Sequence, residues 1–551
     1  MLILFNQIFY SMQISYVHGA SDISLLGETI GNNLKHTVEK FPNHEALICV
    51  HQNYRATYQE FYNQTTAVAK ALIFLGAKSG DRIGIWSTNR YEWVLLQYAT
   101  ARIGVILVNI NPAYRTSELI FVINQSEMSH IFSSLAFKSS DYKQMIADAR
   151  EFCVTLKSEV FFDDNWEEFL NNGQHISDDT LHSFEEHVQF DDPVNIQYTS
   201  GTTGFPKGVT LSHHNILNNG YFIGIRLKYT EKDRVCIPVP FYHCFGMVIG
   251  NICCTAHGAC MVIPNDSFDP EITLKVVSDE KCTSLYGVPT MFIAELAVKN
   301  FETFDFSSLR TGVMAGSVCP PEIMKKVESL MNIKEMSICY GMTETSPVST
   351  QTLIGTPFEK QVNTVGTVQD HLEIKIVDEN GKIVIRGEHG ELCTRGYSVM
   401  LKYWNDPENT RKVLDEGRWM HTGDMAVMDE EGYITISGRI KDLIIRGDEN
   451  NSPKESEDFL YTYPNILDVQ IIGVPSEKFG EEVMAWVKVR KGFQVTEEEL
   501  LNYCKGRIAH YKVPKYWKFV DEFPMTISGK VRKVEMREVS VKELGLDKAK
   551  I

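Results

Sequence analysis

The sequence of 551 residues lacks the patterns that mark several classes of protein. Its 12 cysteines include no Cys-x-x-Cys pair, which favours reduced, mostly buried thiols over a disulfide framework or a zinc site. The longest weakly polar run, Gly246 to Ile263, is interrupted by Asn251, Thr255 and His257, so it predicts a buried helix and strand rather than a transmembrane segment. Basic residues are in deficit, with a formal net charge of −17, which argues against nucleic acid or an anionic membrane as a partner.

The two ends of the chain contain no clear targeting signal. Met1 to Tyr10 is apolar but short, and the first basic residue is Lys35, so the segment fits neither a secretory signal nor an arginine-rich mitochondrial presequence. The last three residues, Ala549-Lys550-Ile551, are loosely similar to the peroxisomal Ser-Lys-Leu tripeptide. The sequence therefore leaves the compartment open.

Helical and strand-like patterns alternate in the first two hundred residues. Thr57 to Leu75 and Trp93 to Ile103 have helical spacing, and Asp81 to Trp86 and Val105 to Val108 have the composition of buried strands. This alternation predicts an α/β fold with a mainly parallel sheet covered by helices on both faces. Residues 156 to 192 are polar, acidic and weakly periodic, so a loop-rich connection is expected there.

A stretch of twelve residues, Tyr198 to Val209, has the composition of a phosphate-binding loop. Its glycines allow backbone N–H groups to approach an anion, and Lys207 supplies positive charge. The pattern Gly-x-x-x-x-Gly-Lys-Ser/Thr is not met because Pro206 and Gly208 occupy two of its positions, which argues against an ordinary γ-phosphate hydrolase. The flanking apolar runs predict strand, loop and helix. A solvated linker is the alternative, although twelve ordered positions exceed what a linker needs.

Later segments predict two smaller units of structure. Leu372 to Val377 alternates with period two and meets the turn residues Asn380-Gly381, and residues 366 to 436 are predicted to form a small antiparallel β subdomain. From residue 441 onward the pattern is that of a small α+β domain. In that domain Thr496 and Glu499 form a capping box at the start of a helix.

The phosphate-binding loop resembles the signature loop of the adenylate-forming superfamily, which includes acyl-CoA synthetases, firefly-type luciferases and the adenylation domains of peptide synthetases. The resemblance covers residues 15 to 545, and segments such as Leu26 to Gly31 are similar to medium-chain fatty acid–CoA ligases. The other motifs that carry it follow in order: Tyr340-Gly-Met-Thr-Glu344, Trp419-Met-His-Thr-Gly-Asp424, Gly438-Arg-Ile-Lys-Asp-Leu443 and Thr526-Ile-Ser-Gly-Lys530.

The resemblance implies a domain organisation. We expect a large N-terminal AMP-binding and acyl-binding domain over residues 1–436, and a hinge over 437–442 that contains Lys441 and Asp442. A mobile C-terminal α+β lid over 443–551 would carry Lys530.

The resemblance also implies ATP with Mg²⁺, and CoA as the second substrate. Lys530, Lys207, Thr202 and Glu344 would be catalytic, and Glu344 with Thr202 would hold Mg²⁺. The expected nucleotide-binding residues are Thr199, Ser200, Gly201, Thr202, Thr203, Gly204, Phe205, Pro206, Lys207, Gly316, Ser317, Tyr340, Gly341, Thr343, Asp424, Arg439 and Lys530. The expected acyl-pocket residues are Tyr242, His243, Phe245, Gly287 and Ala315.

The implied reaction joins a medium-chain fatty acid to AMP with release of pyrophosphate, and then transfers the acyl group to CoA. By resemblance the enzyme would be a monomer or homodimer of the mitochondrial matrix. A basic stretch from Lys505 to Lys518 would contact CoA phosphates or would be an ordinary solvated face.

One segment departs from the family pattern. The usual Gly-Gly-Glu-Asn-Ile-Tyr-Pro-x-Glu-Ile/Leu-Glu has become a sequence with Asp448, Asn451, Ser452 and Ser456 at the variant positions. Serine in place of a buried aliphatic residue at 456 would cost about 2–4 kcal/mol. We therefore expect adenylation to survive and thioester formation to be weakened. The alternatives are transfer of the acyl group to another acceptor, or a degenerate member that only binds acyl groups or nucleotides.

Overall fold

The computed structural model describes residues 14–199, 206–317, 319–446, 449–526 and 530–546, and for residues 449 and 450 only the backbone. The chain divides into two compact units. The larger unit consists of Val17–Ile374 and Thr394–Met420, and the smaller one of Lys375–Cys393, the chain from His421 onward, and the segment up to Tyr16.

A seven-stranded sheet in the larger unit carries the ends of the phosphate-binding loop. Its central strands are parallel, and the two strands at one side run antiparallel to their neighbours. The order across the sheet is Lys402–Tyr403, Lys207–Ser212, Pro193–Thr199, Ile106–Asn109, Arg82–Trp86, His130–Ser133 and Ser158–Phe161.

A second, nine-stranded sheet in the same unit has six parallel strands at its centre. Antiparallel strands complete both sides. The order is Thr367–Val368, Val348–Gln351, Glu335–Gly341, Thr311–Ala315, Ser284–Gly287, Arg234–Cys236, Cys260–Ile263, Glu45–Cys49 and Tyr54–Thr57. The prediction of an α/β fold with mainly parallel sheets is confirmed.

Helices connect these strands and bury their apolar faces against the sheets. Tyr58–Phe74 begins at a capping box in which Thr57 Oγ1 accepts from Glu60 N and Glu60 Oε2 accepts from Thr57 N. The helices of the larger unit are Ile30–Lys40, Tyr58–Phe74, Tyr91–Arg102, Thr116–Ser126, Tyr142–Ala149, Trp166–Asn172, Asp178–Glu185, His213–Arg226, the π-helix Phe245–Ile252, Cys253–His257, Pro270–Asp279, Pro289–Leu296, Pro321–Leu330, Phe358–Asn363 and Pro407–Val413.

The expected loop-rich connection over residues 156–192 is wrong. This region contains the strand Ser158–Phe161 and the helices Trp166–Asn172 and Asp178–Glu185. The many polar residues of these elements obscure their apolar periodicity in the sequence. In the structure, Trp166 and Phe169 are buried against Phe132. Elements of four to eight residues are too short for periodicity to reveal them.

A five-stranded sheet has the order Tyr16–His18, Leu372–Val377, Gly390–Gly396, Met420–Met428 and Ile434–Arg439. Its last two strands pair antiparallel, as expected. The turn at Gly381 is present, but the return strand predicted after it is reduced to a single bridge between Val377 and Ile383.

The C-terminal part of the smaller unit is an α+β structure. Glu449–Asn451, Ile444–Arg446, Gly480–Val489 and Ile466–Ser476 form an antiparallel sheet, and Tyr516–Phe519 pairs in parallel with Gly480–Val489. The helices here are Pro453–Tyr461, Glu497–Cys504 and Lys533–Glu543. The capping box between Thr496 and Glu499 is confirmed.

The predictions about cysteines and apolar runs are also confirmed. All 12 cysteines are buried free thiols. The run from residue 246 to 263 forms buried helix followed by the strand Cys260–Ile263. No helix in the described ranges is long and apolar enough to cross a membrane.

Glu295 is a buried acidic residue of the larger unit. It lies on the helix Pro289–Leu296 with 1% of its surface exposed, and neither carboxylate oxygen has a hydrogen-bond partner among the described residues. Burial raises the pKa of Glu295 well above its usual value, so the carboxyl is neutral in the folded protein at neutral pH.

We expect Glu295→Met to raise the stability of the protein by about 1–3 kcal/mol at pH 8, because an unsatisfied polar group is replaced by an apolar side chain of similar size. The unfolded carboxyl ionises above about pH 4.3 while the folded one stays protonated, so wild-type stability falls as pH rises above that value. The gain in melting temperature should therefore be larger at pH 8 than at pH 5. The exposed Glu302→Met is the control, and an equal or lower melting temperature for Glu295→Met at both pH values would contradict the prediction.

Candidate active site

The phosphate-binding loop connects the two strands of a β-hairpin. Thr199 and Lys207 are register partners at the ends of Pro193–Thr199 and Lys207–Ser212, so the sheet closes the loop at its base. Residues 200 to 205, which include the predicted Ser200, Gly201, Thr202, Thr203, Gly204 and Phe205, lie outside the described residues. The sequence predicts strand, loop and helix in that order. The structure corrects this, because the strand Lys207–Ser212 lies between the loop and the helix His213–Arg226.

Tyr403 links the two charged residues predicted at this site. Its hydroxyl donates to Glu344 Oε1 at 2.8 Å, and its ring centroid lies 5.1 Å from Lys207 Nζ. Pairing of Lys402–Tyr403 with the strand that begins at Lys207 places the tyrosine there. Burial and the neighbouring Glu344 raise the pKa of Tyr403, so the phenol stays protonated and remains a donor.

Sequence reasoning missed Tyr403. Tyrosine in a strand is ordinarily a packing residue, and its separation from Glu344 by 59 positions gives no local signal. Glu344 itself is only 6% exposed, and its backbone carbonyl accepts from Met400 N at 2.9 Å. Tyr403 therefore orients the carboxylate of Glu344 and Met400 holds its backbone, and both residues lie far from Glu344 in the sequence.

Several predicted residues meet at one edge of the nine-stranded sheet. Gly287, Ala315 and Tyr340 lie at the carboxyl ends of three neighbouring parallel strands. Gly316, Ser317 and Thr343 follow two of these strands, and Gly316 and Ser317 are exposed. Ligands of α/β proteins bind at such carboxyl edges.

Gly341 is required by close packing at this edge. A Cβ atom on Gly341 would lie 1.8 Å from the carbonyl oxygen of Pro347. Any side chain at this position would therefore displace the turn that leads from Tyr340 to Glu344.

The aromatic turn predicted for the acyl group packs beside the strand that enters the phosphate-binding loop. The thiol of Cys244 donates to Gln197 Oε1 at 3.2 Å, and Gln197 lies two residues before Thr199. Within the turn, Phe245 N donates to His243 Nδ1 at 3.2 Å, and Asn109 donates to the carbonyl of Tyr242 at 3.2 Å. Phe245 packs against Tyr286, with ring centroids 5.9 Å apart, directly before Gly287.

In the smaller unit, Asp424 and Arg439 are cross-strand partners. Arg439 Nε lies 3.2 Å from Asp424 Oδ1, and Asp424 is only 7% exposed. The predicted hinge residues Lys441 and Asp442 are exposed and lie in a short 3₁₀ turn, Ile440–Asp442, between two strands.

Lys530 is half-buried, and residues 527 to 529, which belong to the turn predicted before it, lie outside the described part of the chain. Its backbone N–H donates to Thr526 Oγ1 at 3.0 Å, and Thr526 N donates to the Lys530 carbonyl at 2.7 Å. The backbone on both sides of the turn is thereby fixed.

Three of the four departures from the family pattern make hydrogen bonds, although the buried Oδ1 atom of Asn451 has no partner among the described residues. Ser456 is buried, but its hydroxyl donates to the carbonyl of Lys512 at 3.0 Å, and Asn451 Nδ2 donates to the carbonyl of Tyr511 at 2.8 Å. Ser452 donates to the carbonyl of Ser437. The expected cost at position 456 was that of a smaller side chain in place of a buried aliphatic one, and position 456 is buried. The hydrogen bond to Lys512 spares the additional cost of an unsatisfied hydroxyl. Asp448 lies outside the described residues.

The basic stretch from Lys505 to Lys518 is partly neutralised by glutamates. Lys518 lies 2.6 Å from Glu543, Lys515 lies 3.9 Å from Glu482, and Lys512 pairs with Glu455. Contact with CoA phosphates therefore stays a prediction for the remaining members of the stretch.

Comparison with protein families identifies the chain. The model of the AMP-binding enzyme family matches residues 34–404, and that of the AMP-binding enzyme C-terminal domain matches residues 455–530.

The chain belongs to the AMP-binding enzyme family.

Two relatives show how closely this AMP-binding enzyme resembles curated proteins. A zebrafish (Danio rerio) protein named medium-chain acyl-CoA ligase ACSF2, mitochondrial, is 43% identical over 97% of this chain and 92% of its own length. A Bacillus subtilis protein named putative acyl-CoA synthetase YngI is also 43% identical, over 95% of this chain and 99% of its own. The chain is thus an acid–thiol ligase, and the resemblance to acyl-CoA synthetases is confirmed.

Solved structures agree with the family. ATP-bound MatB from Rhodopseudomonas palustris superimposes with a TM-score of 0.82 and 26% identity, covering 94% of this chain and 100% of that one. The predicted fold class of the adenylate-forming enzymes is confirmed.

We expect Tyr403→Phe to lower the rate of pyrophosphate release about tenfold and to raise the Mg²⁺ concentration needed for half-maximal rate. The change removes a hydrogen bond to a charged group, worth about 1.5–3 kcal/mol, and keeps the ring beside Lys207. Tyr54→Phe, which removes a hydrogen bond of 2.8 Å to Gln64 outside the site, is the control. Equal rates and equal Mg²⁺ dependence for the two variants would argue against a role for Tyr403.

Proposed function

We propose that this enzyme is an ATP-dependent medium-chain fatty acid–CoA ligase that acts through an acyl-adenylate. The observation that carries the proposal is the arrangement of Lys207, Tyr403 and Glu344 beside the aromatic turn of residues 242 to 245. A phosphate-binding group and an acyl-binding group would thus share one edge of the larger unit. The names of the mitochondrial relatives support a medium-chain acid as substrate and the matrix as location, with the peroxisome as the alternative.

In the first step, the fatty acid carboxylate attacks the α-phosphorus of ATP, and pyrophosphate leaves. Positioning and neutralisation of charge are the main tasks of the protein in such a reaction. Lys207 and the hydroxyls of the loop would hold the departing phosphates, and Lys530 would stabilise charge on the carboxylate and the α-phosphate. Asp424 would accept from the ribose hydroxyls, with Arg439 beside it.

The donor set at Glu344 fits Mg²⁺. A buried carboxylate oriented by a tyrosine hydroxyl is a hard oxygen ligand, and Mg²⁺ is commonly held by one or two carboxylates together with substrate phosphates. When bound, the ion would offset phosphate charge, with Glu344 and Thr202 as its protein ligands.

In the second step, the thiolate of CoA attacks the acyl carbonyl, and AMP leaves with the bridging oxygen. We propose that residues 443–551 reorient about Lys441 and Asp442 between the two steps, so that Lys530 is withdrawn before CoA attacks. The hydrogen bonds of Asn451 and Ser456 favour a functional second step over transfer to another acceptor.

The proposal is tested by incubating the enzyme with octanoate, ATP and Mg²⁺, with and without CoA, and measuring pyrophosphate, AMP and octanoyl-CoA. With CoA present, we expect all three in equal amounts, and we expect Lys530→Ala to slow pyrophosphate formation about 100-fold or more. Lys491→Ala, at an exposed turn of the same unit, should change little.

Absence of pyrophosphate with octanoate and with longer or shorter acids would contradict the proposal. Pyrophosphate without octanoyl-CoA would favour another acceptor, and in that case Asp448→Gly should restore thioester formation.

A further inference from the structure

Glu391 lies on the strand next to the segment that carries Asp424, and its carboxylate contacts two residues of that segment. Glu391 Oε1 accepts from Gly423 N at 3.0 Å, and Glu391 Oε2 lies 2.8 Å from His421 Nδ1. Glu391 belongs to the strand Gly390–Gly396, and His421 and Gly423 belong to the strand Met420–Met428. One carboxylate therefore spans the three residues that precede Asp424.

A second set of contacts connects the same segment to Leu392, the residue after Glu391. Thr422 Oγ1 donates to the carbonyl of Leu392 at 2.7 Å and accepts from Asp424 N at 3.1 Å. Gly423 has φ +71°, a left-handed conformation that favours glycine. The strand segment before Asp424 therefore has an irregular backbone that depends on partners at 391 and 392.

The cluster also includes a thiol, because Cys393 Sγ lies 3.5 Å from His421 Nδ1. A tetrahedral zinc ion with bonds of about 2.0–2.1 Å to His421 Nδ1 and to Glu391 Oε2 would hold this nitrogen and this oxygen about 3.3 Å apart. The observed 2.8 Å between His421 Nδ1 and Glu391 Oε2 is a hydrogen-bond distance. The geometry therefore fits an ion pair better than a metal centre.

The charges at this cluster are fixed near neutral pH. Cys393 and Glu391 raise the pKa of His421 to about 10. Burial of Glu391 acts to raise its pKa, but the hydrogen bonds from His421 and the Gly423 amide lower it on balance. Glu391 is therefore an anion paired with a cation, and such charge-assisted hydrogen bonds are about twice as strong as neutral ones.

We propose that Glu391 is a positioning residue for ribose recognition, which acts by holding the His421–Gly423 backbone so that the carboxylate of Asp424 faces the ribose hydroxyls. The inference rests on the proposed function in one respect, namely the role of Asp424. Glu391 does not itself touch the nucleotide. Its effect should appear only with a nucleotide that has the ribose hydroxyls that Asp424 recognises.

The test compares equilibrium binding of ATP and 2′,3′-dideoxy-ATP by calorimetry, which needs no turnover. Wild type should bind ATP more tightly, and Asp424→Ala should remove most of that preference. Glu391→Gln should weaken ATP binding about tenfold and change 2′,3′-dideoxy-ATP binding less than twofold. Glu391→Ala should have the same or a larger effect on the ratio, and the exposed Glu388→Gln should have none.

The ratio of the two affinities separates positioning from a general loss of structure, because damage to the fold would weaken both nucleotides alike. Melting temperatures of the Glu391 variants check that they fold. A wild-type preference that Glu391→Gln and Glu391→Ala both retain, while Asp424→Ala loses it, would overturn the inference. Equal affinities of the wild type for the two nucleotides would overturn the inference together with the role of Asp424. Failure to form pyrophosphate would count against the proposed function alone.

Discussion

Parallel strands end at the same edge of a sheet, and this constraint places most of the candidate site in the larger unit. Gly287, Ala315 and Tyr340 are separated by 25 or more positions along the chain, yet the register of three neighbouring strands brings them side by side. Small residues at this edge leave the backbone open to a ligand. The aromatic turn contacts that edge through Phe245 and Tyr286, and it contacts the strand that enters the phosphate-binding loop through Cys244 and Gln197.

Charge is the second constraint, because an acidic protein must bind ATP and a carboxylate. The formal net charge of −17 gives no general attraction for anions, so positive charge has to be local. Lys207 lies beside the ring of Tyr403, and the same tyrosine hydroxyl holds the Glu344 carboxylate. In the smaller unit, an ion pair between Glu391 and His421 stabilises the strand segment before Asp424.

The sequence predicts the fold class and the main motifs because glycine, hydroxyl and lysine patterns are local. It does not predict Tyr403 or Glu391, whose partners lie 59 and 30 positions away and meet them only through strand pairing. The short helices over residues 156–192 escape prediction because their buried aromatic residues are spread among acidic ones. The sequence also does not show that the buried hydroxyl of Ser456 donates to a carbonyl of a distant turn.

The central claim is that the fatty acid carboxylate is joined to the α-phosphate of ATP. It is tested most directly with octanoate labelled with ¹⁸O in both carboxylate positions, followed by mass analysis of the AMP formed in the presence of ATP, Mg²⁺ and CoA. The account predicts one ¹⁸O atom in the phosphate of AMP, because the bridging oxygen leaves with AMP when CoA attacks the acyl carbon. Unlabelled AMP, or label in pyrophosphate or inorganic phosphate, would contradict it.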